Sequence, residues 1–181
     1  MLSAYYVATL AYSFWIKRIV VMDVLLLAAL YTARVLAGAA ATDVTPSFWL
    51  LAFSMFTFLS LALVKRYTEL LSRTAQGQTQ ADGRGYRAED MESLMSLGTS
   101  SGYAAVLVLA LYINSANVHS LYRHPRAIWL LCPLLLYWIS RVWLGARRGK
   151  LHDDPLVFAL RDRVSRYVLL IGAAILVAAS Y

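Results

Sequence analysis

The sequence is poor in the side chains that build metal and redox centres. Its 181 residues include one cysteine, Cys132, and three histidines, His119, His124 and His152. One cysteine cannot close an intrachain disulfide, and no Cys/His metal-ligand spacing is present. Ser100, Ser101 and Ser140 have no histidine near them in the sequence, so nothing supports a Ser–His nucleophile. Carboxylates are scarce too: ten, against seventeen lysines and arginines, for a formal charge of +7. No nucleic-acid partner is expected. The start lacks the short basic region and cleavage site of a signal peptide, because Met1 leads straight into apolar and aromatic residues. Long polar stretches are almost missing, and about residues 72–90 form the only long polar loop between the apolar runs.

What the chain has instead is hydrocarbon. It is 60% hydrophobic, with a mean hydropathy of +0.59, where a soluble domain is nearer about 45–50% apolar. The apolar residues lie in long runs, which argues for a bilayer rather than an aqueous core. Six segments can be read. The first, about Leu2 to Ile16, is short for a span of about 20 residues. It either lies in the interface or begins part-way through a helix. The others run from about Ile19 to Ala41, Ser47 to Val64, Ala88 to Ile113, Ala127 to Leu144, and from Asp154-Pro155 to Tyr181. Pro46 marks the start of the third, and Asp154-Pro155 reads as a helix cap with a first-turn proline. Gly98-Thr-Ser-Ser-Gly102 offers a small-residue face for close helix packing. The expected fold is an all-α, polytopic transmembrane helical bundle of five to six spans, forming one domain over residues 1–181.

Placement of Lys and Arg predicts orientation. With six spans, one face receives Lys17, Arg18, Lys65, Arg66, Arg73, Arg84, Arg87, Arg147, Arg148, Lys150, Arg161, Arg163 and Arg166, and the other only Arg123 and Arg126. The first face is expected to be cytoplasmic, with the 72–90 loop on that side. Trp129, Trp138 and Trp143 fall near span ends and read as interface belts and packing, and Cys132 reads as core.

Ionisable residues inside spans are functional candidates. Asp23 and Arg34 are eleven apart, about three helical turns, and so share a side of one helix. They are either a site facing a cavity or a structural pair with charges on neighbouring helices. Lys65, Arg66 and Glu69 sit where the third run meets the loop. Lys65 and Glu69, four apart, share a face. Basic side chains here could hold phosphate or anchor the helix to headgroups by snorkelling. Arg84, Tyr86 and Arg87 follow, either as phosphate ligands supported by glycine amides or as ordinary loop charge. Arg141 lies about two turns before the end of its span. Asp153, Asp154 and Asp162 form a second acidic group. These either hold Mg²⁺ with a diphosphate or act as helix caps and an Asp162–Arg166 pair.

Several of these stretches together resemble the UbiA superfamily of prenyltransferases. They are Tyr12-Ser-Phe-Trp-Ile-Lys17-Arg18, Asp23 with Tyr31-Thr-Ala-Arg34, Leu61-Ala-Leu-Val-Lys65-Arg66-Tyr-Thr-Glu69-Leu70, Gly83-Arg84-Gly-Tyr86, Tyr137-Trp-Ile-Ser-Arg141-Val-Trp143 and Asp153-Asp-Pro-Leu-Val-Phe-Ala-Leu-Arg161-Asp162. The branch they look most like is the decaprenyl-phosphate phosphoribosyltransferase-like one. The resemblance implies a partial UbiA-like fold. It implies a transferase moving a prenyl or phosphoribosyl group from a diphosphate donor, such as phosphoribosyl diphosphate or a prenyl diphosphate, to a polyprenyl phosphate or similar acceptor. It implies Mg²⁺ as cofactor, membrane lipid around the bundle, and a cytoplasmic active face in a bacterial inner membrane. Lys65, Arg66, Arg84, Tyr86, Arg34 and Arg141 would contact substrate, and Glu69 and Asp23 would hold the metal. The superfamily's first acidic motif, of the Asn-Asp-x-x-x-Asp-x-x-x-Asp type, has no counterpart here, and Lys65-Arg66-Tyr67-Thr68-Glu69 stands where the second would be. The chain is therefore expected to be a C-terminal portion that is inactive alone. The alternative is a non-catalytic multispan protein or part of a transporter, although no internal repeat relates the two halves.

Overall fold

The structure, a computed structural model, describes residues 19–77, 85–115, 118, 122–151, 157 and 161–180. The segment Leu2 to Ile16, Arg84, Asp153 and the Asp154-Pro155 cap lie outside the described residues. Among those described there is no β-strand. Five helices carry the fold: α1 (Met22–Ala41), α2 (Phe48–Ala75), α3 (Met91–Ile113), α4 (Leu131–Arg147) and α5 (Arg163–Ser180). Short 3₁₀ turns at Ala88–Asp90 and Pro125–Leu130 lead into α3 and α4. With those turns included, all five are long and apolar enough to cross a membrane. The chain is an integral membrane protein with the all-α architecture that its apolar runs predict.

Local chemistry sets the helix ends. Ser47, after Pro46, accepts the Leu50 N–H at 3.1 Å and caps α2. Asp90 accepts the Arg87 N–H at 2.8 Å before α3. α4 closes on Gly149, whose φ of 64° suits a residue without a Cβ. There the Lys150 N–H reaches the Gly145 carbonyl and the Gly149 N–H the Ala146 carbonyl, both at 3.0 Å. One boundary departs from expectation. The third apolar run was expected to end near Val64, but α2 continues to Ala75. Its last turns stay ordered because Arg66, Tyr67 and Leu70 are buried against neighbouring helices.

Successive helices run antiparallel, as paired registers show. Thr32 on α1 donates to the Met55 sulfur on α2, while Asp23 meets Arg66. Ser60 on α2 donates to the Gly98 carbonyl on α3 at 2.7 Å. Trp143 and Ile139 on α4 pack at Gly98 and Gly102. The Ala179 carbonyl at the end of α5 accepts the His124 N–H at 3.0 Å. Helices in lipid gain little from hydrophobic exclusion, so close packing and interhelical hydrogen bonds hold them together. The two glycines supply that packing. A Cβ on Gly98 would fall 2.0 Å from the Trp143 ring, and one on Gly102 would fall 2.6 Å from Ile139. Trp143, read as interface belt or packing, is 3% exposed and packs inside the bundle. It stacks edge-on to Tyr67 with ring centroids 6.0 Å apart and donates its indole N–H to Ser60 at 3.1 Å. Cys132 is buried, as expected.

Candidate functional site

The antiparallel order brings the start of α1, the end of α2, the start of α3, the end of α4 and the start of α5 to one end of the bundle. Most of the basic residues gather there, and Arg123 and Arg126 stand at the other end. Two clusters of ionised side chains form at the basic end.

The first centres on Arg66. Its Nε lies 2.9 Å from Asp23 Oδ2, and the two side chains are 1% and 0% exposed. Neither atom makes a directed hydrogen bond, so they meet as charges. The other Asp23 oxygen accepts the Tyr86 hydroxyl at 2.6 Å. That hydroxyl in turn accepts the Val21 N–H at 2.9 Å. Burial, reinforced by the Asp23 hydrogen bond, pushes the Tyr86 hydroxyl well above the usual tyrosine range, so it stays a neutral donor. Val21 adopts a φ of 69°, rare and strained for a β-branched residue. It forms the turn that leads Asp23 inward. On its other side Arg66 pairs through Nη1 with Glu69. Arg73, one turn further, approaches the second Glu69 oxygen at 4.0 Å. The chain of charges therefore runs from the buried Asp23 outward through Arg66 to Glu69, which is 27% exposed, and Arg73, which is 24% exposed.

The second cluster joins α4 to α5. Arg141 grips Asp162 with two hydrogen bonds, at 2.6 and 3.0 Å. Asp162 also accepts the Ser165 N–H at 2.8 Å and its hydroxyl at 3.0 Å, so it caps α5. Trp138 donates its indole N–H to the same Ser165 hydroxyl at 2.9 Å. Burial alone would raise the Asp162 pKa. The Arg141 and Ser165 hydrogen bonds outweigh it and hold the carboxyl below its ordinary value. The Asp162–Arg166 side-chain pair read from spacing is not what joins these residues. Arg166 donates its backbone N–H to the Asp162 carbonyl.

The structure thus sorts the expected site residues. Asp23, Arg66, Glu69 and Tyr86 come together. Arg66, read as either a phosphate ligand or a headgroup anchor, points into the bundle instead and is 1% exposed. Lys65 beside it is half-buried at the margin. Arg34 does not join Asp23. Three turns away the face of α1 is uncovered, and Arg34 is exposed, with its guanidinium 4.9 Å from the Tyr31 ring centroid. Arg141 belongs to the separate α4–α5 cluster. Arg73 and Ser165 were not singled out from the sequence as site residues, and Trp138 was read only as interface belt and packing. The spacing of Arg73 four residues after Glu69 was the signal for the first. No local signal marked the other two.

Magnesium asks for an octahedron of oxygens, usually one or two carboxylates with waters and substrate phosphate. Among the described residues no three His, Cys, Asp or Glu side chains converge. Both Asp23 oxygens are engaged, and the Arg66 guanidinium stands between Asp23 and Glu69, where a cation would stand. The described residues therefore do not fit a magnesium ion by themselves.

No protein-family model matches the chain. It is 25% identical over 182 residues to a decaprenyl-phosphate phosphoribosyltransferase of Mycolicibacterium smegmatis, covering 97% of this chain and 57% of that protein. The chain resembles these phosphoribosyltransferases. The likeness extends over almost all of it and supports the UbiA-type resemblance carried by its motifs. It is also 37% identical over 158 residues to nodulation protein NoeC of Azorhizobium caulinodans, 86% of this chain and 50% of that protein. A protein of Sinorhizobium fredii, uncharacterized protein y4nM, is 35% identical over 178 residues, 97% of this chain and 34% of the relative. The chain spans about a third to somewhat over half of the length of these relatives.

Proposed function

We propose that the chain forms part of a UbiA-like integral membrane transferase. The enzyme moves a phosphoribosyl or prenyl group from a diphosphate donor to a polyprenyl phosphate or similar lipid acceptor, at the cytoplasmic face of a bacterial inner membrane. The observation that carries this reading is the chain of charges from Asp23 through Arg66 to Glu69 and Arg73, assembled from α1, α2 and the segment before α3. Displacement of a diphosphate needs positive charge on the leaving group and fixed geometry more than a nucleophilic side chain. Lys65 and Arg73, at the margin, would neutralise donor phosphates. Glu69 would orient them and face any Mg²⁺ that the diphosphate brings, with further carboxylates supplied from outside the described residues. Arg66, too buried to meet substrate, is a positioning residue. Asp23 and Tyr86 hold it, and it holds Glu69.

The test is equilibrium binding of phosphoribosyl diphosphate to the natural membrane protein that contains this chain. Arg73→Ala and Lys65→Ala are expected to weaken binding about tenfold each, near the worth of one charge-assisted hydrogen bond. Unchanged affinity in both would overturn the assignment. A second reading, a non-catalytic multispan protein, draws on one observation: Asp23 and Arg66 neutralise each other completely within the bundle. It predicts no saturable binding of the donor by the unsubstituted protein.

A further inference from the structure

A cavity opens at the basic end of the bundle, and it shares no residue with the Arg66 cluster. It has a volume of about 390 Å³ and is bordered by Tyr137, Arg141, Leu144, Arg148, Lys150 and Asp162, among others. Arg141 is neutralised there by its two-pronged pairing with Asp162. Arg148 and Lys150 are different. Both are exposed, and among the described residues no carboxylate pairs with either.

These two residues are not a loose run of surface charge. They flank Gly149 in the turn that ends α4, where two backbone hydrogen bonds fix the chain. Leu151 follows and is 5% exposed. It lies against Gly145, where a Cβ would come within 2.9 Å of its side chain. The turn is thus anchored on both sides, and its cations are held at the cavity rim. The opposite lip is apolar. Leu144 and Tyr137, about one and three turns back along α4 from Arg148, are 51% and 55% exposed. A small anion would use the cations and leave this lip uncovered. An amphiphile with an anionic head and a hydrocarbon tail would cover both.

We infer that this cavity binds the phosphate head of a membrane lipid. Arg148 and Lys150 hold the phosphate oxygens, and the acyl or prenyl chain lies along Tyr137 and Leu144. The site is separate from the Arg66 cluster and does not depend on the transferase reading.

The experiment uses the protein in phosphatidylcholine nanodiscs, titrated calorimetrically with short-chain phosphatidic acid and, separately, with inorganic phosphate. Saturable lipid binding is expected, at least tenfold tighter than inorganic phosphate. Arg148→Ala/Lys150→Ala should weaken lipid binding tenfold or more, as loss of two cations at a membrane surface predicts. Arg123→Ala/Arg126→Ala removes the same charge from the far end of α4 and should change binding less than twofold. Circular dichroism and an unchanged unfolding temperature confirm that the variants are folded. Equal affinity for inorganic phosphate would overturn the lipid assignment. Equal weakening by both double substitutions would mean diffuse attraction, and no weakening by Arg148→Ala/Lys150→Ala would remove the site altogether.

Discussion

Arg66→Met is the substitution that most directly probes what holds the first cluster together. Arg66 and Asp23 are 1% and 0% exposed, so removing the cation strands a carboxylate inside the bundle. Breaking a buried pair from one side costs about 3–5 kcal/mol. Tyr86 still donates to Asp23, which keeps the loss from going higher. Glu69 loses a partner as well, but it is 27% exposed and has Arg73 nearby, so its share should stay below about 1 kcal/mol. For a chain of this size the loss corresponds to a fall of about 6–20 °C in unfolding temperature. Replacing both partners removes the stranded charge. Asp23→Asn/Arg66→Met should lie within about 1–2 kcal/mol of the unsubstituted protein, because apolar or neutral replacements of a whole buried pair are often near neutral. The assay is a double-mutant cycle by reversible unfolding in mixed detergent micelles, followed by helical circular dichroism. If Arg66→Met costs less than about 1 kcal/mol, or the cycle is additive within about 0.5 kcal/mol, the pair is not a structural unit and the reasoning fails.

Three further outcomes follow from the same geometry. Tyr86→Phe removes a hydroxyl that donates to Asp23 and accepts from Val21, and should cost about 1–3 kcal/mol for the groups left unpaired, read by the same unfolding assay. Because its folded pKa is raised, neutral Tyr86 contributes stability that is fully present below about pH 10 and lost as pH rises through the folded value. Alkaline absorbance titration should therefore count the same number of tyrosines ionising near pH 10 in the unsubstituted protein and in Tyr86→Phe; one fewer in the variant would contradict the raised value. Asp162 has the opposite sign. Its depressed pKa gives stability present above about pH 4 and lost as pH falls through the folded value. Asp162→Asn should therefore cost about 2 kcal/mol at neutral pH and little in strong acid, and an equal loss at both would count against the Arg141 pairing. Gly98→Ala puts a methyl into the Trp143 ring. It should cost about 1–3 kcal/mol or more and shift tryptophan fluorescence, whereas a neutral result would mean the helices do not meet there.

The parts of the fold legible in the sequence are those governed by neighbours in the chain. Apolar runs marked the five helices. Pro46-Ser47 marked the start of α2, and Gly98 and Gly102 marked a close-packed face. The end of α2 was harder to read. Lys65, Arg66 and Glu69 look like the edge of hydrocarbon when charges are counted singly, but Arg66 is neutralised by Asp23, a partner on another helix. Arg141 and Asp162 are 21 residues apart, and no helical spacing predicts such a pair. Arg34 shows the reverse error. Spacing placed it on the side of α1 that bears Asp23, but only tertiary packing decides how far a neighbour covers that side. Trp143 sits near the end of an apolar run, where tryptophan often lies at the interface. Gly98, on another helix, makes the hollow that receives it.

The central claim is that Glu69, held by Arg66, stands at the donor site of a lipid-directed transferase. Membranes carrying the natural protein that contains this chain would be given phosphoribosyl diphosphate labelled in the ribose and a polyprenyl phosphate. Label extracted with the lipid would then be counted for the unsubstituted protein and for Glu69→Gln at matched membrane levels. The account predicts lipid-borne label from the first and at least a hundredfold less from the second. Lipid-borne label at the same rate from both would contradict it.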